Sequence, residues 1–291
     1  MQGKRKIQNS FLTIMVLLLF IISGCGGNKT VEKNGEGITV KMLDVGQGDA
    51  LLVRTKEQTI LIDTGDVDER EKFLACLKKE GITTIDKMII THPHADHMGG
   101  AEVVFKNFTV KEVYDNGQPT TTNLYRTYLK TIKEKNITYK HLAAGDVLDF
   151  GDGTVFKVLS PPKGKVAAGG DLNENSIVGR LAYKDFSMLF TGDSTAEAEA
   201  QMLSAYKADL KSTILKSPHH GSKTSSNFNY LKAVAPEAVL ISLGSGNEYG
   251  HPHKVILDKY EKLKMKIFRT DKDGTITIQT NGSTYDIKKE K

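Results

Sequence analysis

Cysteine is scarce in this chain of 291 residues: only Cys25 and Cys76 are present, and no disulfide framework can be built from them. No glycine-rich phosphate loop of the G-x-G-x-x-G or G-x-x-x-x-G-K kind opens any expected helix, which argues against a nucleotide-binding doubly wound sheet. Internal repeats, low-complexity tracts and Pro/Ser-rich linkers are also missing, so one domain of roughly 250 residues is the simplest organisation. Charge of one sign does not dominate. The formal net charge is +5, but Lys4, Arg5 and Lys6 carry three of these charges, and the remaining about +2 is silent about partners. With 39% hydrophobic and 26% charged residues, collagen-like, coiled-coil and wholly disordered chains are excluded.

A long hydrophobic run is lacking as well. The apolar stretch Phe11–Ile22, broken only by Thr13, falls short of the about 20 residues that a membrane span needs. Behind its basic start it reads as a signal peptide over residues 1–24. The ending Ile22-Ser23-Gly24-Cys25 resembles the lipobox of bacterial lipoproteins, which implies acylation at Cys25, a tether over residues 25–37, and anchoring at the extracytoplasmic face of the bacterial cell membrane. Cys76, inside the apolar helical stretch Phe73–Leu77, reads as a small core residue.

From Ile38 onward, β-branched runs alternate with amphipathic stretches, as expected of an α/β domain over residues 38–291. Strands are predicted at Ile38–Leu43, Ala50–Arg54, Thr59–Ile62, Lys87–Thr91, Val155–Leu159, Ile177–Tyr183, Ser187–Phe190, Thr213–Lys216, Ala238–Ser242 and Thr275–Gln279. Helices are predicted at Glu69–Lys79, Gly100–Lys106, Leu124–Lys135, Ala196–Tyr206, Tyr230–Val234 and Lys254–Leu263.

Seven of the eight histidines fall in three short segments that each follow a predicted strand: His92, His94 and His97; His219 and His220; His251 and His253. Loops at strand ends are where a rigid scaffold presents functional groups. The densest segment, His92-Pro93-His94-Ala95-Asp96-His97, gathers imidazoles and a carboxylate, the donors that hold borderline and hard divalent cations. Turning four such groups inward is costly unless a cation joins them. In an extended loop His92 and His94 point the same way and converge on one ion, while Asp96 and His97 face a second. Gly99 and Gly100 allow the backbone to close around the turn.

This segment resembles the H-x-H-x-D-H motif of the metallo-β-lactamase superfamily. Ile60–Gly65 resembles the early strand whose Asp, here Asp63, supports a ligand from behind, and Leu189–Asp193 resembles the strand that ends in the metal-bridging Asp, here Asp193. Met42–Ala50, Asn173–Val178, Lys216–Ser222, Asn247–Pro252 and Arg269–Asp271 extend the likeness, over roughly residues 38–278, to the soluble hydrolase domain of ComEC-type competence proteins. The resemblance implies a four-layer αββα sandwich holding two divalent cations, Zn²⁺ or Mn²⁺. The implied ligands are His92, His94, Asp96, His97, Asp193 and His220, with Asp96 and His220 catalytic, and with Asp44, Asp63, Asn175, His219 and His251 supporting the ligands or meeting substrate. One departure stands out: the superfamily's single middle His is missing, and an amide from the turn 173–176 takes its place, which suits a harder ion such as Mn²⁺.

Two cations so held lower the pKa of a shared water towards about 7 and stabilise charge on substrate oxygens. The resemblance tilts the substrate to phosphodiesters such as single-stranded DNA, cut outside the membrane. A small-molecule ester or lactone hydrolase, and a lipoprotein that binds nucleic acid or polymer without turnover, are the rival readings. The basic run Lys254, Lys259, Lys262, Lys264, Lys266 and Arg269 near Tyr260 reads either as a phosphate-backbone contact or as a solvated helix face followed by an edge strand. Leu124, Tyr128 and Ile132, spaced i, i+4, i+8, mark a buried stripe rather than a stacking surface.

Overall fold

The computed structural model describes residues 37–166 and 169–291. The signal segment, Cys25 and the tether up to residue 36 lie outside the described residues.

Two sheets form the centre. The first joins β1 (Ile38–Met42), β2 (Leu51–Arg54), β3 (Thr59–Ile62), β4 (Thr84–Ile89), β5 (Thr109–Asp115) and β6 (Thr138–His141) to the late strands β14 (Ile276–Thr280) and β15 (Tyr285–Lys289), in the order β15-β14-β1-β2-β3-β4-β5-β6. The second holds β7 (Val147–Asp149), β8 (Val155–Ser160), β9 (Val178–Tyr183), β10 (Phe186–Phe190), β11 (Ile214–Lys216), β12 (Ala238–Ile241) and β13 (Lys266–Arg269), running β13-β12-β11-β10-β9-β8-β7. Each sheet is antiparallel in one half and parallel in the other: β3 to β6 pair in parallel, as do β10 to β13. Parallel neighbours need crossovers, and helices supply them. These are α1 (Arg70–Lys79), α2 (Ala95–Met98), α3 (Ala101–Asn107), α4 (Asn123–Glu134), α5 (Ala196–Tyr206), α6 (Phe228–Val234) and α7 (Lys254–Lys262), while α8 (Thr270–Asp273) lies on the link from β13 back to β14 of the first sheet.

Three apolar cores separate four layers. One lies between the sheets, where Val40, Ile60 and Ile62 meet Phe156, Met188 and Phe190. A second packs Leu61 and Met88 against Phe73 of α1, Val104 of α3 and Tyr128 of α4. The third packs Leu189, Leu215 and Val239 against Met202 of α5, Leu231 of α6 and Ile256 of α7. This is the αββα sandwich. Strands β10, β11 and β12 are buried along their whole length and, apart from Ser187 and Lys216, are apolar, as covered parallel strands should be.

The predicted strands and helices are present, with ends shifted by a few residues. Five strands lie outside the predicted set: β5, β6, β7, β13 and β15, of which β13 is the edge strand of the solvated-face reading of the basic run. The edge strands β6 (TYKH) and β15 (YDIKK) hold no fully buried residue, and with only Tyr139 in one and Tyr285 and Ile287 in the other their apolar pattern is too short to read as a strand. The Leu124, Tyr128, Ile132 stripe faces the core, with Tyr128 and Ile132 buried.

Candidate metal centre

The parallel strands point their C-terminal ends at one place, and the loops that leave them carry the polar cluster. This is where open α/β sheets place ligands. β3 ends in Asp63, β4 feeds Thr91 to His97, β10 delivers Asp193, β11 is followed by His219 and His220, and β12 leads through Ser242 to the loop bearing Tyr249 and His251.

Register fixes the first half. Ile62 pairs with Ile89, which sets Asp63 beside Thr91, and its carboxylate accepts from the Thr91 N–H (2.7 Å), the Thr91 hydroxyl (2.8 Å) and His97 Nδ1 (2.9 Å). With Nδ1–H committed to Asp63, His97 turns Nε2 toward Asp193 Oδ1 (3.2 Å) and Asp96 Oδ2 (3.8 Å). His92 Nε2 lies 3.0 Å from His94 Nδ1, and the His92 and His97 ring centres are 4.1 Å apart. From the other sheet, His220 Nδ1 donates to the Ser242 carbonyl (2.8 Å) and aims Nε2 at Asp96 Oδ2 (3.2 Å) and Asp193 Oδ2 (3.5 Å).

Backbone strain sits at the same place. Asp63, His219 and His220 adopt φ of 59°, 46° and 52°, a region costing non-glycine residues roughly 1–3 kcal/mol each, and surrounding contacts hold them there. Gly48 has φ of 104°, and a Cβ would lie 2.2 Å from the Asp96 carbonyl, so only glycine permits this approach.

The donor set fits divalent cations. Ligand atoms of Asp96, His97, Asp193 and His220 all lie within 4.8 Å of one another. Separations of 3.2 to 3.8 Å bracket the about 3.4 Å edge of a tetrahedron with bonds of about 2.1 Å. His97 Nε2, Asp193 Oδ1 and Asn173 Oδ1 are buried with no well-directed hydrogen bond among the described residues, and buried polar atoms normally have one. Electrostatics agree. Burial opposes charge on His97, yet Asp193, Asp96 and Asp63 hold its pKa well above the usual imidazole value. Burial likewise opposes charge on Asp96, but the His97 charge and the His220 hydrogen bond keep its carboxyl well below the usual range. His92, buried beside His97, is pushed well down and stays neutral, as a ligand must. The site is a sink for positive charge.

The remaining candidates separate. His219 presents Nε2 3.6 Å from Asp193 Oδ2 and holds Thr224 Oγ1 through Nδ1 (3.0 Å). His251 lines the same cleft, its pKa lowered to about 4 by burial and by the neighbouring imidazoles of His220 and His219. His253 is a packing residue: it accepts from the Lys223 N–H (3.2 Å) through Nδ1 and donates its own N–H to the Gly221 carbonyl (3.0 Å).

Two expected positions change. The Asp44 carboxylate is taken by Lys72 (2.6 Å) and Lys291 (2.9 Å), away from the cluster, because its strand end faces α1 and the C-terminal residue. The acid beneath the cluster is Asp49, across the same turn, fully buried and 3.5 Å from His220 Nδ1. Asn175 closes its own turn, donating to Gln118 Oε1 (3.1 Å) and the Asp171 carbonyl (3.0 Å), and the amide that faces the cleft is Asn173. Sequence reasoning also missed Lys216, buried in β11 with Nζ paired to Asp49 and donating to the Gly192 carbonyl (2.9 Å). A lone lysine inside the apolar run Ile214-Leu215-Lys216 was the available signal.

The basic run is largely engaged within the chain. Lys254 pairs with Asp258 (2.7 Å), Lys259 donates to the Ser226 carbonyl (2.8 Å), Arg269 grips Asp271 with two bonds (2.9 and 2.6 Å), and Tyr260 is buried. The solvated-face reading accounts for these contacts.

Residues 43–245 match the Metallo-beta-lactamase superfamily, and the chain belongs to it. Members of that superfamily are mostly metal-dependent hydrolases. ComE operon protein 3 of Bacillus subtilis is 30% identical over 279 residues, covering 90% of this chain and 34% of that protein. Competence protein ComA of Neisseria gonorrhoeae is 30% identical over 249 residues, covering 85% of this chain and 33% of its own. The chain thus spans about a third of the length of these relatives. Among solved structures, the metallo-beta-lactamase fold protein YhfI from Bacillus subtilis superposes with a TM-score of 0.57 at 12% identity, over 84% of this chain and all of the other, a likeness of fold.

Proposed function

We propose that this protein is a metal-dependent phosphodiesterase, a nuclease acting on single-stranded DNA or a related phosphodiester, held by a lipid on Cys25 at the extracytoplasmic face of the membrane. The observation that carries the reading is the convergence of Asp96, His97, Asp193 and His220, of which Asp96, Asp193 and His220 line an open cleft of about 300 Å³ and His97 lies buried behind them. The kinship to competence proteins supports the phosphodiester over other esters.

Two divalent cations, Zn²⁺ or Mn²⁺, would be held by His92, His94, Asp96, His97, Asp193 and His220, and when bound they supply Lewis-acid charge and lower the pKa of water. Asp96, one of the ligands that line the cleft, orients the attacking water and accepts its proton as oxygen adds to phosphorus and the bond to the leaving oxygen breaks. His220, whose Nδ1 donates to Ser242, turns Nε2 toward Asp96 and Asp193, where it would hold a cation or, when protonated, give its proton to the leaving oxygen. His219 and His251 line the cleft on the substrate side.

The test is cleavage of end-labelled single-stranded DNA with Mn²⁺, with Zn²⁺ and with chelator, beside Asp96→Ala. Metal-dependent cutting that disappears in the variant is expected. A metal-loaded protein that cuts no nucleic acid but opens a lactone or small ester would replace this reading with the small-molecule one.

A further inference from the structure

The cleft's mouth carries an aromatic ring that packing does not explain. Tyr249 is 63% exposed, the most exposed large hydrophobic among the described residues. Its ring lies against His251 with centroids 5.6 Å apart and planes within 20°, an offset stack that covers one face and leaves the other to solvent. Both residues line the same cleft as Asp96 and Asp193. His251 in turn meets His219 edge-on at 5.5 Å, so ring contacts lead from the mouth of the cleft to the cluster.

The loop that presents this ring is pinned. Asn247 accepts from the His251 N–H (2.9 Å) and donates to the His251 and Gly244 carbonyls (2.8 and 3.1 Å), while the Gly244 N–H donates to Gln47 Oε1 (3.2 Å) across from the other sheet. An exposed tyrosine on a clamped loop is a preorganised surface. No lysine or arginine is among the described residues lining the cleft, and its carboxylates are those of Asp66, Asp96 and Asp193. A polyanion therefore finds no basic track here, and affinity for a nucleic-acid strand must come from the cations at the phosphate and from flat contact with a base.

We propose that Tyr249, backed by His251, is a stacking shelf for the nucleobase that flanks the scissile phosphodiester, making the substrate a nucleotide strand recognised one base at a time. This rests on the phosphodiesterase reading above. Every base offers a π-face, so the shelf is tolerant of sequence but not of a missing base.

The experiment uses the full chain loaded with Mn²⁺ and end-labelled single-stranded oligonucleotides, either complete or with one abasic residue moved stepwise past the cut position. For the wild type, one abasic position is expected to raise KM about tenfold, as loss of a base–aromatic stack does, with kcat little changed. Tyr249→Ala is expected to raise KM on the complete strand by the same factor and to add nothing at that abasic position, since both changes remove one interaction. Tyr249→Phe should behave as wild type, and bound metal should be equal in all three. If Tyr249→Ala and the abasic residue multiply, or if the variant loses as much on a base-free alkyl phosphodiester, the shelf is overturned while the phosphodiesterase reading stands. If the wild type cuts no strand at all, the phosphodiesterase reading falls and the shelf falls with it.

Discussion

Lys216 and Asp49 form an ion pair at the seam between the two sheets, each side chain 1% exposed, directly beneath the His/Asp cluster. Asp49 precedes β2 in the first sheet, and its N–H donates to the Asp96 carbonyl (3.0 Å). Lys216 ends β11 in the second, donates to the Gly192 carbonyl and lies 3.8 Å from Asp193 Oδ1. Burial opposes its charge, but Asp49 and Asp193 outweigh it and raise its pKa. The pair thus ties the segments bearing Asp96 and Asp193 to each other. Lys216→Met strands a buried carboxylate and should cost about 3 to 5 kcal/mol in denaturant unfolding, whereas Lys216→Met with Asp49→Leu should recover much of it. A single variant as stable as wild type would contradict this account.

Asp63 offers a gentler lever on the same centre. It fixes the His97 ring by accepting from Nδ1, and a carboxylate behind a ligating histidine sets both its orientation and its basicity. Asp63→Asn keeps the shape and weakens both effects. Metal affinity, measured by competition with a chromophoric chelator, should fall about 10- to 100-fold while the fold survives. Unchanged affinity would mean that His97 does not hold metal.

Cations bound only by the folded chain must stabilise it. At a free metal concentration 100 times its dissociation constant the gain is about 2.7 kcal/mol for one site, so chelator should lower the melting temperature measurably. In His92→Ala with Asp193→Ala, metal content by elemental analysis should drop and the chelator response should vanish. Metal retained in that variant would overturn the ligand assignment.

Much of this centre is legible from sequence because its ligands come in short local runs. His92 to His97 lie in six successive positions, and a strand before them and a glycine pair after them dictate the turn. What sequence could not supply is which of two neighbours turns inward. Asp44 and Asp49 bracket one turn, and Asn173 and Asn175 share another. Only the positive φ at Gly48 and the hydrogen bonds that consume Asn175 decide between them. Lys216 is hidden for a different reason: its partner is 167 positions away, and a long-range buried pair leaves no periodic trace. The unpredicted strands β6 and β15 are edges whose pairing, rather than apolar content, makes them strands.

The proposed lipid anchor is tested apart from catalysis. Cys25→Ser should abolish labelling by a fatty-acid analogue and release the protein from the membrane fraction, with metal-dependent activity retained in the soluble pool. A variant that stays with the membrane and still takes the label would remove Cys25 as the anchor.

Glu199 sets a pH dependence far from the ligands. Its carboxyl on α5 accepts from the N–H groups of Ser226 (2.6 Å) and Asn227 (2.7 Å), which start α6. Burial pushes its pKa up to about 7, and those two N–H groups and Lys259 only partly offset this. The unfolded chain gives up the same proton near the ordinary glutamate value of 4.5. Between these values the folded state binds more protons, so stability falls as pH rises through this window and levels off above it. The slope is about 1.4 kcal/mol per pH unit at most. Glu199→Gln removes the titration, so the difference in unfolding free energy between wild type and variant should shift against wild type from about pH 5 to 7 and then stay constant. A difference that is flat across that range would show that the two N–H groups hold the carboxylate charged after all.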